Sequence, residues 1–410
     1  MAFKLPNQAD LTIEQTEIMN LPTNKNFVIQ GGPGTGKTVM TVFRAVHIAS
    51  RIPNANILVL VYNKPLCDFI STGLHHVHFN HPEIEIQTLD SWTGSFWKKF
   101  DLGNPPQNNG QKNWQQVGAI LQNFHHHFYN HIIVDEAQDC HPEFLKGLAS
   151  ISDHITCFAD PNQKVFQNAQ CSNIVDMLVG TCEPAKYPTG APITLTTNFR
   201  NTRQIAAVSS LFRPDDFNVS VQPAADQTGD RPILEKVANW DEELDKIVTL
   251  SKNFLDQEVG IIVNYDKVSW IAKELAEKLP PGTVQKHKTG AFGPGTKINW
   301  NLPGVKVVSY GTAKGLEFDL VIIPDLDYVN DSELQKALGD AMAADNPDKA
   351  FKALQEGKKV CSNRLFVAMS RPLRKLVAFY RKDFSSMHLK HQAILQPIFD
   401  PANAAKIDWR

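Results

Sequence analysis

A chain of 410 residues, 42% of them hydrophobic and 20% charged, has room for two or three domains with full cores, which excludes a disordered or low-complexity class. A formal net charge of −2 excludes an overall basic field for non-specific nucleic-acid binding and leaves open only a local positive groove. The six cysteines (Cys67, Cys140, Cys157, Cys171, Cys182, Cys361) form no C-x-x-C pair, the N-terminal residues lack the apolar core of a signal peptide, and the longest apolar runs have strand length; a reduced, cytoplasmic chain without membrane contact is therefore expected.

In chain order, Leu11-Thr-Ile-Glu-Gln15 starts a helix with Thr12 as its cap, and the Gln15 amide can both donate to and accept from an adenine edge. Next comes Phe27-Val-Ile-Gln-Gly-Gly-Pro-Gly-Thr-Gly-Lys-Thr38, an apolar strand entering a glycine loop that opens a helix. Gly31, Gly36, Lys37 and Thr38 satisfy the P-loop pattern. Backbone N–H groups of Gly32, Gly34, Thr35 and Gly36 can approach phosphates, Lys37 reaches the β/γ-phosphates, and the Thr38 hydroxyl ligates Mg²⁺. ATP and Mg²⁺ are the expected cofactors.

Residues 56–62 form a buried strand ending in Tyr62-Asn63-Lys64, and residues 83–88 form another. A loop over residues 103–112 precedes a helix from about Trp114 to His127. The strand over residues 130–134 then runs into Asp135-Glu-Ala-Gln-Asp139, two acids where a P-loop protein handles Mg²⁺ and the attacking water. Strand 155–158 delivers Ala159-Asp-Pro-Asn-Gln163, whose Asp and Gln can sense the γ-phosphate; an ordinary Asp-Pro-Asn turn explains the same residues. Two histidine groups, His75, His76, His78 and His81, and His125, His126, His127 and His131, have no cysteine or carboxylate framework, so exposed histidines are expected rather than a metal site.

Residues 181–192, rich in proline, glycine and threonine, are the expected hinge. A second series of strands is expected at 193–196, 259–263, 305–308, 320–323 and 376–380, separated by helical segments, which argues a second parallel α/β sheet without a P-loop. The expected domains are residues 1–190, residues 193–384 and a tail, residues 385–410.

The ordered set of Gln15, the P-loop, Tyr62-Asn-Lys, Asp-Glu-Ala-Gln-Asp, Asp-Pro-Asn-Gln, Asn198-Phe-Arg200, Ala313-Lys-Gly-Leu-Glu-Phe-Asp319 and Leu365-Phe-Val-Ala-Met-Ser-Arg371 resembles superfamily 1 helicases of the UvrD/Rep type, over residues 11 to about 380. The resemblance implies two RecA-like parallel-sheet cores with ATP in the cleft between them and single-stranded DNA across both, with 3′ to 5′ movement. By motif, Gln15 would read adenine and Phe199 stack on it. Asp135 would bind the metal through water and Glu136 would orient or deprotonate the attacking water. Gln163 would couple γ-phosphate status to the DNA surface. Arg200 and Arg371 would be arginine fingers, and Gly315 and Glu317 would lie at the nucleotide, Glu317 on the ribose. Tyr62, Asn63 and Phe166 fit strand-contacting positions.

The chain departs from the family in lacking large accessory subdomains. Asn168 also stands where a tryptophan is common, and Gly311 where a histidine is common. Two functions follow: an ATPase coupled to translocation or unwinding, or an ATP-dependent switch or sensor subunit beside a nuclease, repair or defence protein. An AAA-type remodelling ATPase would share the P-loop but have a helical lid in place of the second sheet.

Overall fold

The computed structural model describes residues 6–62, 64–76, 84–108, 110–160, 193–213, 222–223, 227–287, 298–328 and 331–410. Among these, the chain forms two compact α/β units, one ending at Thr197 and the other beginning at Asn198. The expected hinge at 181–192 lies outside the described residues, as do Asn63, Gln163, Phe166 and Asn168.

The first unit is built on six strands: β1 (Phe27–Gly31), β2 (Ile57–Val61), β3 (Ile84–Thr88), β4 (Tyr129–Val134), β5 (Ser152–Ala159) and β6 (Ile193–Leu195). Every pairing is parallel, in the order β3-β2-β4-β5-β1-β6. Strand β2, Ile-Leu-Val-Leu-Val, is buried along its whole length, as an interior parallel strand with both faces covered must be. Helices α1 (Ile13–Met19), α2 (Lys37–Arg51), α3 (Lys64–His76), α4 (Leu89–Lys99), α5 (Trp114–Gln122) and α6 (Pro142–Ser150) accompany the sheet. A core of Leu58, Leu60, Trp92, Trp97, Ile132, Val134 and Phe144 lies on one face. One expectation is corrected here. Residues 193–196 were expected to open the second sheet, but Ile193–Leu195 pairs in parallel with β1, Ile29 opposite Ile193 and Gly31 opposite Leu195.

The second unit has its own parallel sheet of seven strands: β7 (Ile233–Lys236), β8 (Glu258–Val263), β9 (Val284–Lys286), β10 (Gly304–Ser309), β11 (Phe318–Ile323), β12 (Pro372–Tyr380) and β13 (Asp408–Trp409), in the order β9-β10-β8-β11-β12-β7-β13. The α/β class with two parallel-sheet cores is therefore what the chain forms. Helices α7 (Arg203–Ser209), α8 (Trp240–Lys252), α9 (Val268–Lys278), α10 (Asp331–Met342), α11 (Pro347–Met369) and α12 (Leu389–Phe399) complete the unit. Ile261, Val307, Leu320, Ile322 and Val377 form its core against α8 and α9. The residues expected as a tail include α12 and β13, whose Asp408 and Trp409 pair with Ile233 and Leu234. Among the described residues no helix is long and apolar enough to cross a membrane.

Candidate nucleotide site

In the first unit the carboxyl ends of β1, β5 and β4 converge, and chemistry in open parallel sheets gathers at such ends. Strand β1 leads into the P-loop, where Gly34 and Gly36 have φ of 74° and 86°, a left-handed backbone that glycine adopts without a Cβ penalty. A Cβ on Gly36 would also stand 2.7 Å from Gln15 Nε2, so a larger residue there would push the Gln15 amide aside. Within the loop the fully buried Thr35 hydroxyl donates to Gly32 O at 3.0 Å. Lys37 Nζ donates to Gly31 O and Gly32 O, each at 2.9 Å, and pairs with Asp160 Oδ2 at 3.9 Å. The ammonium thus lies across the loop, held by carbonyls that a phosphate could replace.

Strand β4 delivers the acids. Thr38 Oγ1 donates to Asp135 Oδ2 at 2.9 Å, joining the first turn of α2 to the acidic motif. Asp135 is buried, and burial, followed by its neighbour Glu136, pushes its carboxyl above the ordinary range; the Thr38 hydroxyl, Lys37 and the Glu136 N–H pull it back. Glu136 has φ 56°, the left-handed region, and in a residue other than glycine such local strain is most often found at functional sites. Its carboxylate accepts from Gln138 Nε2 at 2.6 Å, and Gln138 Oε1 accepts from the Asp160 N–H at 3.0 Å. Gln138 and Asp160 therefore bracket the two proposed reacting groups, Glu136 and Lys37. Gln138 received no role in the sequence reading, although it sits inside the acidic motif.

The same donor set suits Mg²⁺. A hydroxyl and a carboxylate 2.9 Å apart are hard oxygen ligands, and the buried Asp135 carboxyl gains from a nearby cation. Thr38 and Asp135 fit the metal.

Gln15 is buried on α1 with its amide held at both ends. Oε1 accepts from Thr12 N–H at 3.1 Å, and Nε2 donates to Thr35 O at 3.3 Å. The expected Thr12 cap is present, closing a capping box with Gln15. One donor hydrogen and one acceptor lone pair of the amide are left over for a base edge. Tyr62 follows β2, half-buried against the first core; burial, followed by Asp139 and Asp90, raises its phenol.

The remaining candidates lie in the second unit. Arg200 Nε donates to Glu317 Oε1 at 2.8 Å. Beside it, Asn201 Nδ2 donates to Ser370 O at 3.2 Å and Pro372 O at 2.7 Å, the carbonyls on either side of Arg371. The Arg200 and Arg371 segments are thus tied together by Asn201, a residue the motif reading did not single out. Arg371 is 2% exposed; its Nε donates to Val367 O at 2.8 Å and its Nη2 to Ser370 Oγ at 3.0 Å, capping the end of α11. Gly315 has φ 78° in the turn between β10 and β11 that delivers Glu317. Phe199 is half-buried, and its carbonyl accepts from Gln227 Nε2.

The histidines divide. His125, His126 and His127 are exposed, as expected, whereas His131 is a correction: it is fully buried on β4, because inward positions of a central strand are covered whatever their side chain. Its Nε2 lies 2.8 Å from Thr156 Oγ1. Among the described residues no group of three His, Cys, Asp or Glu side chains could hold a metal ion, and Cys67, Cys140, Cys157 and Cys361 are buried and in no disulfide. His78, His81, Cys171 and Cys182 lie outside the described residues.

Comparison with known proteins bears on the first unit. A family model described as an AAA domain matches residues 15–168, from the Gln15 helix through the P-loop and the acidic motif. Among solved structures, the C-terminal domain of a possible DNA helicase from Lactobacillus plantarum WCFS1 aligns at 17% identity over 52% of this chain and 98% of its own, with a TM-score of 0.29, too slight a likeness to bear on fold or function. No curated protein matches. The first unit is therefore similar to P-loop AAA domains over the stretch that holds Gln15, Lys37, Thr38, Asp135 and Glu136.

Proposed function

We propose that the chain is a reduced superfamily 1 enzyme of the UvrD/Rep type, which hydrolyses ATP with Mg²⁺ and couples hydrolysis to movement along single-stranded DNA. The observation that carries this reading is the junction of Lys37, Thr38, Asp135 and Glu136 at the strand ends of one sheet, with Thr38 and Asp135 2.9 Å apart. Lys37 exchanges the Gly31 and Gly32 carbonyls for β/γ-phosphate oxygens. Thr38 and Asp135 hold Mg²⁺, which when bound neutralises phosphate charge. Water attacks the γ-phosphorus as its proton passes to the Glu136 carboxylate, and ADP with inorganic phosphate results. Gln15 reads adenine and Phe199 stacks on it. Glu317, beside Gly315, takes the ribose, and Arg200 and Arg371 stabilise charge in the transition state. Gln163 relays γ-phosphate status, and Tyr62, Asn63 and Phe166 contact the strand.

The second reading is an ATP-dependent switch or sensor subunit in a DNA-processing or nuclease complex, without strand separation. The packing of Tyr62 against the first core favours it, since a ring engaged in packing offers less face to a base. The ATPase rate with and without single-stranded DNA separates the two readings. Stimulation at low salt supports translocation, and hydrolysis indifferent to DNA supports the switch. No hydrolysis by the wild type with ATP and Mg²⁺ overturns both.

A further inference from the structure

Helix α2, which begins at the P-loop, carries a buried charge that hydrolysis does not use. Arg44 is fully buried. A guanidinium out of water needs acceptors, and those it finds are main-chain carbonyls from the end of α1 and the turn beyond it: Met19 O at 3.3 Å, Leu21 O, and Pro22 O at 2.6 Å. Its Cζ also lies 5.7 Å from the centre of the Phe27 ring on β1. Met19 is the last residue of α1, so its carbonyl is one that a helix end leaves without an intrahelical partner, while Leu21 and Pro22 belong to the turn that follows. One planar fork therefore fixes the end of α1 to the P-loop helix.

The start of α1 is fixed through Gln15, whose Oε1 accepts from Thr12 N–H and whose Nε2 donates to Thr35 O. These two bonds set which way the amide faces. A glutamine amide with its orientation fixed matches adenine, which offers a donor at N6 beside an acceptor at N7; guanine places an acceptor at O6. A side chain free to swing aside can donate to guanine from Nε2 alone and turn its oxygen away from the base, so discrimination falls.

We propose that Arg44 is a positioning residue for nucleobase selection, holding α1 against the P-loop helix so that Gln15 keeps the orientation that fits adenine and not guanine. The inference rests on the reading of Gln15 as the adenine contact. A lysine at this position would keep the charge and the stem but not the fork that spans three carbonyls.

The test is the ratio of kcat/KM for ATP to that for GTP in the wild type, Gln15→Ala, Arg44→Lys and Arg44→Met, with Tm measured on the same samples. Both Arg44 variants are expected to lower the ratio about tenfold or more, through a raised KM for ATP with kcat within about twofold, because the phosphate contacts remain. A folded Arg44 variant with the wild-type ratio overturns the inference. Failure of both variants to fold also overturns it, assigning the guanidinium to stability alone. A wild-type ratio in Gln15→Ala instead removes the base-reading role of Gln15 itself.

Discussion

Arg200 and Glu317 stand 117 residues apart in the chain, yet Arg200 Nε donates to Glu317 Oε1 at 2.8 Å inside the second unit. Both are candidates for nucleotide contact, one for the γ-phosphate and one for the ribose. With its carboxylate partner and the neighbouring Asn201 anchored on either side of Arg371, Arg200 has little freedom to leave this loop. The pair holds the guanidinium in place before any phosphate arrives.

Arg200→Ala is expected to reduce kcat by about 10³-fold or more with ATP affinity nearly unchanged, as for a group that acts on transition-state charge. Glu317→Gln should cost less, roughly tenfold, by loosening the guanidinium without removing it. Steady-state hydrolysis together with binding of a fluorescent ATP analogue reads both. Wild-type turnover in Arg200→Ala would take this residue out of the reaction.

The P-loop lysine and the acid after Asp135 should fail differently. Lys37→Ala removes the ammonium held by Gly31 O and Gly32 O and is expected to weaken ATP binding and abolish hydrolysis together. Glu136→Gln keeps the shape and should bind ATP normally while hydrolysing it about 10² to 10⁴-fold more slowly. Single-turnover hydrolysis with trapped nucleotide distinguishes them, and normal turnover in Glu136→Gln would reassign water activation.

Much of this site was legible because it rests on local pattern. Apolar runs such as 57–61 and 320–323 announce buried parallel strands, and the P-loop and acidic motif are contiguous in sequence. What was missed depends on partners far apart in the chain. Ile193–Leu195 belongs to the first sheet only because β1 offers it an edge, which nothing in its own residues indicates. The strands Ile233–Lys236, Val284–Lys286 and Asp408–Trp409 are two to four residues long, too short for alternation to register. The Arg44 clamp closes on carbonyl oxygens, which every residue has, so its target carries no side-chain signature.

Acid should destabilise the first unit through His131. Burial, followed by the charge of Arg44 and by His154, holds this imidazole well below its ordinary value, while its Nε2 faces Thr156. Above about pH 6.5 the ring is neutral in both folded and unfolded chains and costs nothing. Below that, the unfolded chain takes up a proton that the folded chain refuses, so stability falls as pH drops toward the folded value. Urea melts at pH 8 and pH 5 should show this loss, and His131→Gln should show less of it. An unchanged pH difference in that variant would place the acid sensitivity elsewhere.

The contact with nucleic acid gives the sharpest choice between the two functional readings. A chain of net charge −2 has no general attraction for phosphates, so any hold on a single strand depends on a local groove and on stacking, and should weaken as salt rises. Tyr62 is the described aromatic at a strand end where a base could stack, and its ring is already half-buried against the first core. The translocase reading therefore expects single-stranded DNA to stimulate hydrolysis at low salt. In that case Tyr62→Ala should reduce the stimulation more than the basal rate, since a stacked base is worth roughly 1 to 3 kcal/mol. Blunt duplex should stay closed without a partner. If Tyr62 is only a packing residue, Tyr62→Ala lowers Tm and basal hydrolysis together and leaves the stimulation ratio alone. A wild-type ATPase indifferent to single-stranded DNA from low to physiological salt would end the translocase reading and leave the ATP-dependent switch.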